Sequence, residues 1–112
     1  MAVTVTVLIP AKTAENTQTT QYTSAGVTTI IDKFTATNYS ASAATLSINL
    51  VTGAGAAGND NLIVKTKTLQ PNETYTFPEI VGQVLSPSGF ISTIAGTASA
   101  INMRASGRQV TQ

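Results

Sequence analysis

The stretch LSINLVTGAGAAGNDNLIVK, residues 46–65, decides which kind of fold this chain can adopt. Its glycines, G-A-G-A-A-G at residues 53–58, match the spacing of the fingerprint that holds a dinucleotide pyrophosphate. That fingerprint requires a helix directly after it, because the phosphate sits at the helix N-terminus. Here Asn59-Asp60-Asn61 and then an apolar run from Leu62 follow, which predicts another strand. We therefore interpret the segment as a loop between two strands and not as a nucleotide site.

Two further roles of this loop have to be weighed. Asp60 and its two asparagine neighbours offer the oxygen ligands that calcium prefers, but three adjacent positions do not supply the spaced ligands of a calcium site. A turn rich in Asn and Asp is the favoured interpretation. The smooth, uncharged glycine-rich part could instead pack against a neighbouring subunit. We expect no metal and no cofactor to bind this chain.

Alternation of apolar and polar residues continues on both sides of the loop and predicts strands with one buried face. At the start of the chain, Val3, Val5 and Val7 alternate with threonines up to Pro10, which is expected to end that strand. Residues 11–24 are polar and are expected to form a loop or an extended arm. The remaining predicted strands cover residues 27–39, 45–50, 61–69, 74–77, 90–95 and 99–108.

The segments between these strands carry recognisable turn chemistry. A break in the alternation near Asp32 predicts a bulge. Gln70-Pro71-Asn72-Glu73 and Ser86-Pro87-Ser88-Gly89 predict turns, since proline presets φ and asparagine tolerates the third position. The spacing of apolar residues within 78–85 predicts one short helical turn, and Gly96-Thr97 predicts a hairpin. The expected fold is all-β, a sandwich or barrel with at most one short helical turn.

Composition excludes several classes of function. The chain has 112 residues and no linker, so residues 1–112 are expected to form a single domain, with residues 1–24 as an N-terminal strand plus an extended arm. Charged residues make up 10% and the net charge is +1, which does not suit a nucleic-acid binder. No apolar run is long enough to span a bilayer. A surface so poor in charge suggests that part of it contacts other chains.

Catalytic chemistry is equally poorly supported, and an enzyme is not expected. The chain contains no His and no Cys, and its five acidic residues are scattered along the sequence. A serine–lysine arrangement remains open, but no motif points to one. The lysines that could take part in it are Lys33, Lys65 and Lys67.

The candidate contact residues lie on the two terminal strands. Arg104 and Arg108 share one face of the last strand, where a planar guanidinium suits a partner's carboxylates, although exposed charges that discourage aggregation are the simpler interpretation. Lys65 and Lys67 are expected to share a face in the same way. The strand of Val3, Val5 and Val7 could add to a neighbour's sheet, but an ordinary core strand is the favoured interpretation.

The segment FPEIVGQVLSPSGFISTIAGTASAINMRASGRQVT, residues 77–111, resembles the C-terminal end of small structural proteins of tailed bacteriophages. Most of the likeness lies in ISTIAGTASAINMRASGR, residues 91–108, and the patterns at residues 37–51 and 69–75 are similar in style. The family type it resembles is the capsid decoration protein, also called cement or staple protein. Many members of that type have a compact β-sandwich of jelly-roll type and often act as dimers or trimers. The resemblance therefore also implies a homo-oligomer, a dimer or a trimer, for this chain.

The resemblance implies a role on the virion. The chain would be made in the host bacterial cytoplasm, bind the exterior of the capsid and bridge subunits of the major capsid protein, without nucleic-acid or membrane contacts. One alternative is a low-copy neck, tail or fibre-attachment protein. A second alternative is a carbohydrate- or receptor-binding β-sandwich. The resemblance assigns no role to individual residues.

Overall fold

The computed structural model describes residues Ala2–Thr111, which form nine strands and one short 3₁₀ turn at Asn59–Asn61. No α-helix occurs within these described residues. The all-β prediction is therefore confirmed. The strands are β1 (Ala2–Thr13), β2 (Thr19–Thr23), β3 (Thr28–Asn38), β4 (Ala44–Val51), β5 (Leu62–Leu69), β6 (Thr74–Tyr75), β7 (Val84–Leu85), β8 (Phe90–Ala95) and β9 (Ile101–Thr111).

The strands form two antiparallel sheets packed face to face as a β-sandwich. The five-stranded sheet has the order β1-β9-β3-β6, with β7 also pairing with β3, and the four-stranded sheet has the order β2-β8-β4-β5. Pairing therefore runs from the outermost strands inward: β1 with β9, β2 with β8, β3 with β6 and β7, and β4 with β5. This nested pairing is the jelly-roll arrangement, as the resemblance implied.

The core between the sheets is built around two phenylalanines. Phe34 on β3 and Phe77 after β6 are fully buried and meet edge to face, with ring centroids 5.3 Å apart. Tyr75 extends this group with its centroid 4.7 Å from that of Phe77. Edge-to-face pairs add to the hydrophobic stabilisation of burial, because the positive ring edge meets the negative face. Aliphatic side chains of both sheets complete the core.

Local signals predicted two irregularities correctly. The register between β3 and β9 shifts between Ile31 and Lys33, which places a bulge at Asp32. In the turn that begins at Gln70, the carbonyl of Gln70 accepts a hydrogen bond from the amide of Glu73 at 3.0 Å. Asn72 adopts a φ of 65° there, which asparagine tolerates better than most residues.

The course of the chain after the first valines differs from the prediction. β1 continues through Pro10 to Thr13, because β1 is an edge strand and proline is tolerated where no ladder hydrogen bond is donated. The register with β9 shifts on either side of Ile9, so that Leu8 and Ile9 are both buried. The loop or extended arm expected at residues 11–24 is wrong in part, since β1 continues to Thr13 and β2 pairs with β8 within the same chain.

Two predictions about connections are also wrong in part. β8 and β9 do not form a hairpin around Gly96-Thr97, because β8 belongs to the four-stranded sheet and β9 to the five-stranded sheet. The connection therefore crosses between the layers. The expected helical turn at residues 78–85 amounts to one turn, in which the carbonyl of Phe77 accepts hydrogen bonds from Ile80 and Val81. It ends in β7, which was not predicted.

Candidate interaction surface

The outer face of the five-stranded sheet exposes several large apolar side chains. Val3, Val5 and Val7 on β1 are exposed by 57%, 80% and 43%, and Val84 on β7 by 55%. The prediction that the first three form a buried face is therefore wrong. Their strand is nevertheless part of the chain's own sandwich, as the favoured interpretation had it, because it pairs with β9 and buries Leu8 and Ile9. The valine side chains point away from the sandwich because each pairs with an outward residue of β9, among them Arg108 opposite Val5.

This surface joins β-branched side chains from four strands, β1, β3, β7 and β9. Arg108 lies between Val5 on β1 and Ile30 on β3, and Val84 on β7 lies on the far side of Ile30. The sequence does not indicate Val84 as a surface residue of a strand, because the apolar spacing around it predicts a helical turn. Contiguous exposed apolar side chains with polar groups among them are typical of surfaces that contact other chains. We call Val3, Val5, Val7, Ile30, Val84, Val110, Arg104 and Arg108 the valine face.

The predicted pair of arginines does not act as a pair. Arg108 forms a two-pronged contact with Asp32 in the β3 bulge: Nη2 lies 2.9 Å from Oδ1, and Nε lies 3.0 Å from Oδ2. Hydrogen bonds from Arg108 hold the pKa of the Asp32 carboxyl below its ordinary value, and Asp32 raises the pKa of Arg108. Arg104 is exposed, and its guanidinium has no carboxylate within 4.0 Å among residues 2–111. Arg104 is thus the guanidinium better placed for a partner.

The contact between Asp32 and Arg108 predicts a dependence of stability on pH. Since the folded pKa of Asp32 lies below its ordinary value of 3.8, the pair stabilises the fold above that pH and loses this effect as the pH falls through the folded pKa. Asp32→Asn should therefore lower the free energy of unfolding at neutral pH and not at the acid end. Urea titrations of both proteins from neutral to strongly acidic pH would measure this difference.

A double-mutant cycle provides the control. Arg108→Gln should reduce stability in the same pH range, and adding Asp32→Asn to it should cost little more, because either change already breaks the same contact. A loss from Asp32→Asn that persists unchanged in acid would contradict the assignment.

Comparison with protein-family models, with curated proteins and with solved structures finds no match to this chain. Its function has to be inferred from the chemistry of its own surfaces. No helix among residues 2–111 is long and apolar enough to cross a membrane. The same residues contain no group of three side chains of the acidic, His or Cys type that could hold a metal ion.

The glycine-rich loop at residues 53–58 packs against its own sheet. Its glycine spacing resembles that of a nucleotide site. The loop joins β4 to β5 through the 3₁₀ turn, as the strand-to-strand interpretation predicted. Asn61 organises it: Oδ1 accepts hydrogen bonds from the Gly58 amide at 3.0 Å and from Asn49 Nδ2 at 2.8 Å, and Nδ2 donates to the Ala56 carbonyl at 2.9 Å. The side chain of Asn61 therefore serves the loop and not a ligand. Packing of the loop against a neighbouring subunit remains a prediction.

Removing the Asn61 side chain should loosen this loop. We expect Asn61→Ala to lower the free energy of unfolding by about 1–2 kcal/mol, because the Gly58 amide and the Ala56 carbonyl lose their hydrogen bonds. Chemical denaturation would measure the loss. Asn59→Ala in the same turn is the matched control and should change stability by less than about 0.5 kcal/mol. Equal effects of the two changes would contradict the role of Asn61.

Polar residues on the outer face of the four-stranded sheet are satisfied within the chain. Gln18 donates hydrogen bonds to Asn49 Oδ1 at 3.3 Å and to Ser92 Oγ at 2.8 Å. Every described buried side-chain N or O atom has a hydrogen-bond partner. The adjoining cleft of about 150 Å³ is lined by Gln18, Ser47, Asn49, Ala57, Gly58, Asn59, Leu62, Lys65, Thr66 and Ile94. Such saturated hydrogen bonding favours a structural role for this cluster.

The two lysines of β5 do not share a face, contrary to the prediction. Lys67 pairs with Leu46 while Val64 pairs with Ile48, so Lys65 and Thr66 together oppose one residue of β4. This bulge, in which Thr66 has a φ of 45°, turns Lys65 toward the outside of the four-stranded sheet. Lys67 lies on the other side, with Nζ 4.4 Å from the centre of the Tyr75 ring.

Proposed function

We propose that this chain is a virion structural protein that binds the outer surface of a bacteriophage capsid and stabilises the shell by bridging subunits of the major capsid protein. The observation that carries the proposal is the valine face, which exposes β-branched side chains in a chain with only 10% charged residues. The resemblance of residues 77–111 to small tailed-phage structural proteins supports the same role.

The valine face suits a mechanism in which the shell is stabilised by additional buried interface between this chain and the capsid subunits. Burial of exposed apolar side chains against the shell is favourable because water is released from them. Arg104 would add a charge-assisted hydrogen bond to a capsid carboxylate, while Arg108 remains engaged with Asp32. A protein that contacts two capsid subunits at once stabilises the assembled shell by mass action, since it binds the assembled form and not the separated subunits.

The copy number of this chain in purified virions tests the proposal. Quantitative mass spectrometry would compare its peptides with those of the major capsid protein. A ratio of one, or a simple fraction such as one half or one third, is expected for a protein bound across the head lattice. About a dozen copies would replace the proposal with the neck, tail or fibre alternative, and absence from particles would overturn a virion role.

Binding to shells that lack the protein tests the surface itself. Val7→Lys and Val84→Lys should each weaken binding at least tenfold, because a charge would be buried against the capsid without a partner. Ile63→Lys is the matched control, since Ile63 is also an exposed β-branched residue but lies on β5 of the other sheet. Equal binding by all three variants would show that another surface meets the shell.

A further inference from the structure

The edges of the two sheets differ in how well they are protected against pairing with other strands. β6 and β7 are two residues long, and β2 has five. β5 carries a bulge and two lysines, which are common protections of an edge strand. β1 has twelve residues and pairs with β9 on one side, and no other strand of the described chain pairs with it.

The first half of β1 has none of the usual protections. Residues 2–7 pair with β9 in unbroken register, and no charged residue occurs before Lys12. All residues from Ala2 to Val5 are exposed, so neither face of this part of the strand is covered. An edge of this kind presents a row of unpaired N–H and C=O groups that another strand can bind.

The sequence of this edge reads the same in both directions. Residues 3–7 are Val-Thr-Val-Thr-Val, with Val5 at the centre. We infer that β1 pairs antiparallel with β1 of a second copy of this chain about a two-fold axis that passes beside Val5. A two-fold interface requires a surface that is complementary to itself, and a palindromic strand meets that requirement.

The pairing places residues of the same type opposite each other across the axis. Val5 faces Val5 of the second copy, Val3 faces its Val7, and Thr4 faces its Thr6, so apolar pairs and threonine pairs lie on opposite faces. Both five-stranded sheets then form one continuous sheet. The two valine faces join into one surface. Most of the contact is formed by the backbones of the two β1 edge strands and not by the valine side chains.

Charge favours a second copy as the partner. The strands that meet carry no charge over residues 2–11, so no like charges are brought together. Arg108 lies on β9, one strand in from the edge, and the two copies of it would be about 14 Å apart at the usual strand spacing. That distance exceeds the screening length of about 8 Å at physiological salt, and Asp32 neutralises each guanidinium.

Charged residues introduced at the axis test the dimer with purified protein and no capsid. The unmodified chain should sediment as a dimer, whereas Val5→Lys and Val5→Glu should each weaken self-association at least tenfold, because like charges would face each other. An equimolar mixture of the two variants should restore dimers. Because Val5 is exposed by 80%, both variants should fold. Ile63→Lys, on the edge strand of the other sheet, should remain dimeric.

Several outcomes would overturn the inference. These are a monomeric unmodified chain, a Val5→Lys variant that still forms dimers, and a mixture that fails to recover them. A monomer whose capsid binding is lost on Val5→Lys would mean that a capsid strand occupies the edge instead. Because the dimer is measured without the shell, the dimer inference can be overturned while the proposed capsid role stands. The capsid role can likewise be overturned while the dimer stands.

Disulfide formation tests the position of the axis. The chain contains no cysteine, so a single introduced thiol has no competitor. Val5→Cys should form disulfide-linked dimers on mild oxidation, because the two residues face each other at a Cα separation that a disulfide can bridge. Thr4→Cys is the control, since the pairing sets it opposite Thr6 and on the other face. Efficient cross-linking of Thr4→Cys with none of Val5→Cys would overturn the assigned axis.

Discussion

Replacing Phe34 by alanine is expected to lower the free energy of unfolding by about 3–5 kcal/mol. Phe34 is fully buried on β3, and its ring meets that of Phe77 at the centre of the core between the sheets. Truncation would remove the apolar surface of the ring, leave a cavity and take away the edge-to-face contact. A domain of this size is stable by about 5–15 kcal/mol in total, so the loss should be a large fraction of it.

Equilibrium denaturation in urea would measure this effect, with Phe90→Ala as the matched control. Phe90 is the same residue type at the start of β8 but is only half-buried, so its removal should cost about half as much. A loss below about 1.5 kcal/mol for Phe34→Ala would contradict a core centred on this ring. A variant too unstable to be purified would agree with the prediction.

Gly107→Ala is expected to cost about 3 kcal/mol, although it adds a single methyl group. Gly107 lies in β9, the strand between β1 and β3. An added Cβ would overlap the backbone carbonyl oxygen of Ile30 and lie 3.1 Å from Leu8 Cδ1. A main-chain atom within a paired strand cannot move aside without disturbing its hydrogen bonds. Glycine is therefore required here by close approach of the neighbouring strand.

Gly96→Ala separates this effect from the general cost of replacing glycine. An added Cβ at Gly96 would meet the Thr45 hydroxyl group, which belongs to a side chain that can rotate. The expected cost is about 1 kcal/mol or less. Thermal unfolding of both variants would compare them, and equal shifts in Tm would contradict the close approach at Gly107. Gly107→Val should fail to fold.

The correct predictions share a local cause. The alternation from Thr45 to Leu50 made β4 recognisable, because side chains alternate between the faces of any strand. The break at Asp32 and the turn of Pro71 and Asn72 depend on the backbone preferences of a few neighbouring residues. The glycine-rich loop was recognised because a strand, and not a helix, follows it.

The wrong predictions concern which surface covers which residue. Val3, Val5 and Val7 alternate as the residues of a half-buried strand do, but the four-stranded sheet does not cover them. Strict alternation predicts one face for Lys65 and Lys67, and this is wrong because the bulge at Lys65 and Thr66 has no recognisable signature in the sequence. The hairpin at Gly96-Thr97 was wrong because a turn signal does not tell whether two strands pair or pass to different layers.

In the candidate surface too, local patterns were predictable from the sequence and contacts between distant segments were not. Arg104 and Arg108 were identified from their spacing, and their common face follows from the alternation of β9. The partner of Arg108 was not predictable, because Asp32 lies 76 residues away in sequence and meets it through the register of β3 and β9. Val84 was missed for a related reason, since it joins the surface by pairing with Ile30.

Local sequence patterns were sufficient to predict the all-β class, most of the strands, the bulge, the turns, and a surface poor in charge. These properties follow from residue preferences and periodicities that act over a few positions. Three features could be read only from the packed structure: the strand order of the jelly roll, the exposure of Val3, Val5 and Val7, and the contact of Arg108 with Asp32. Each of these depends on pairing between distant segments, which is set by the packing of the whole core.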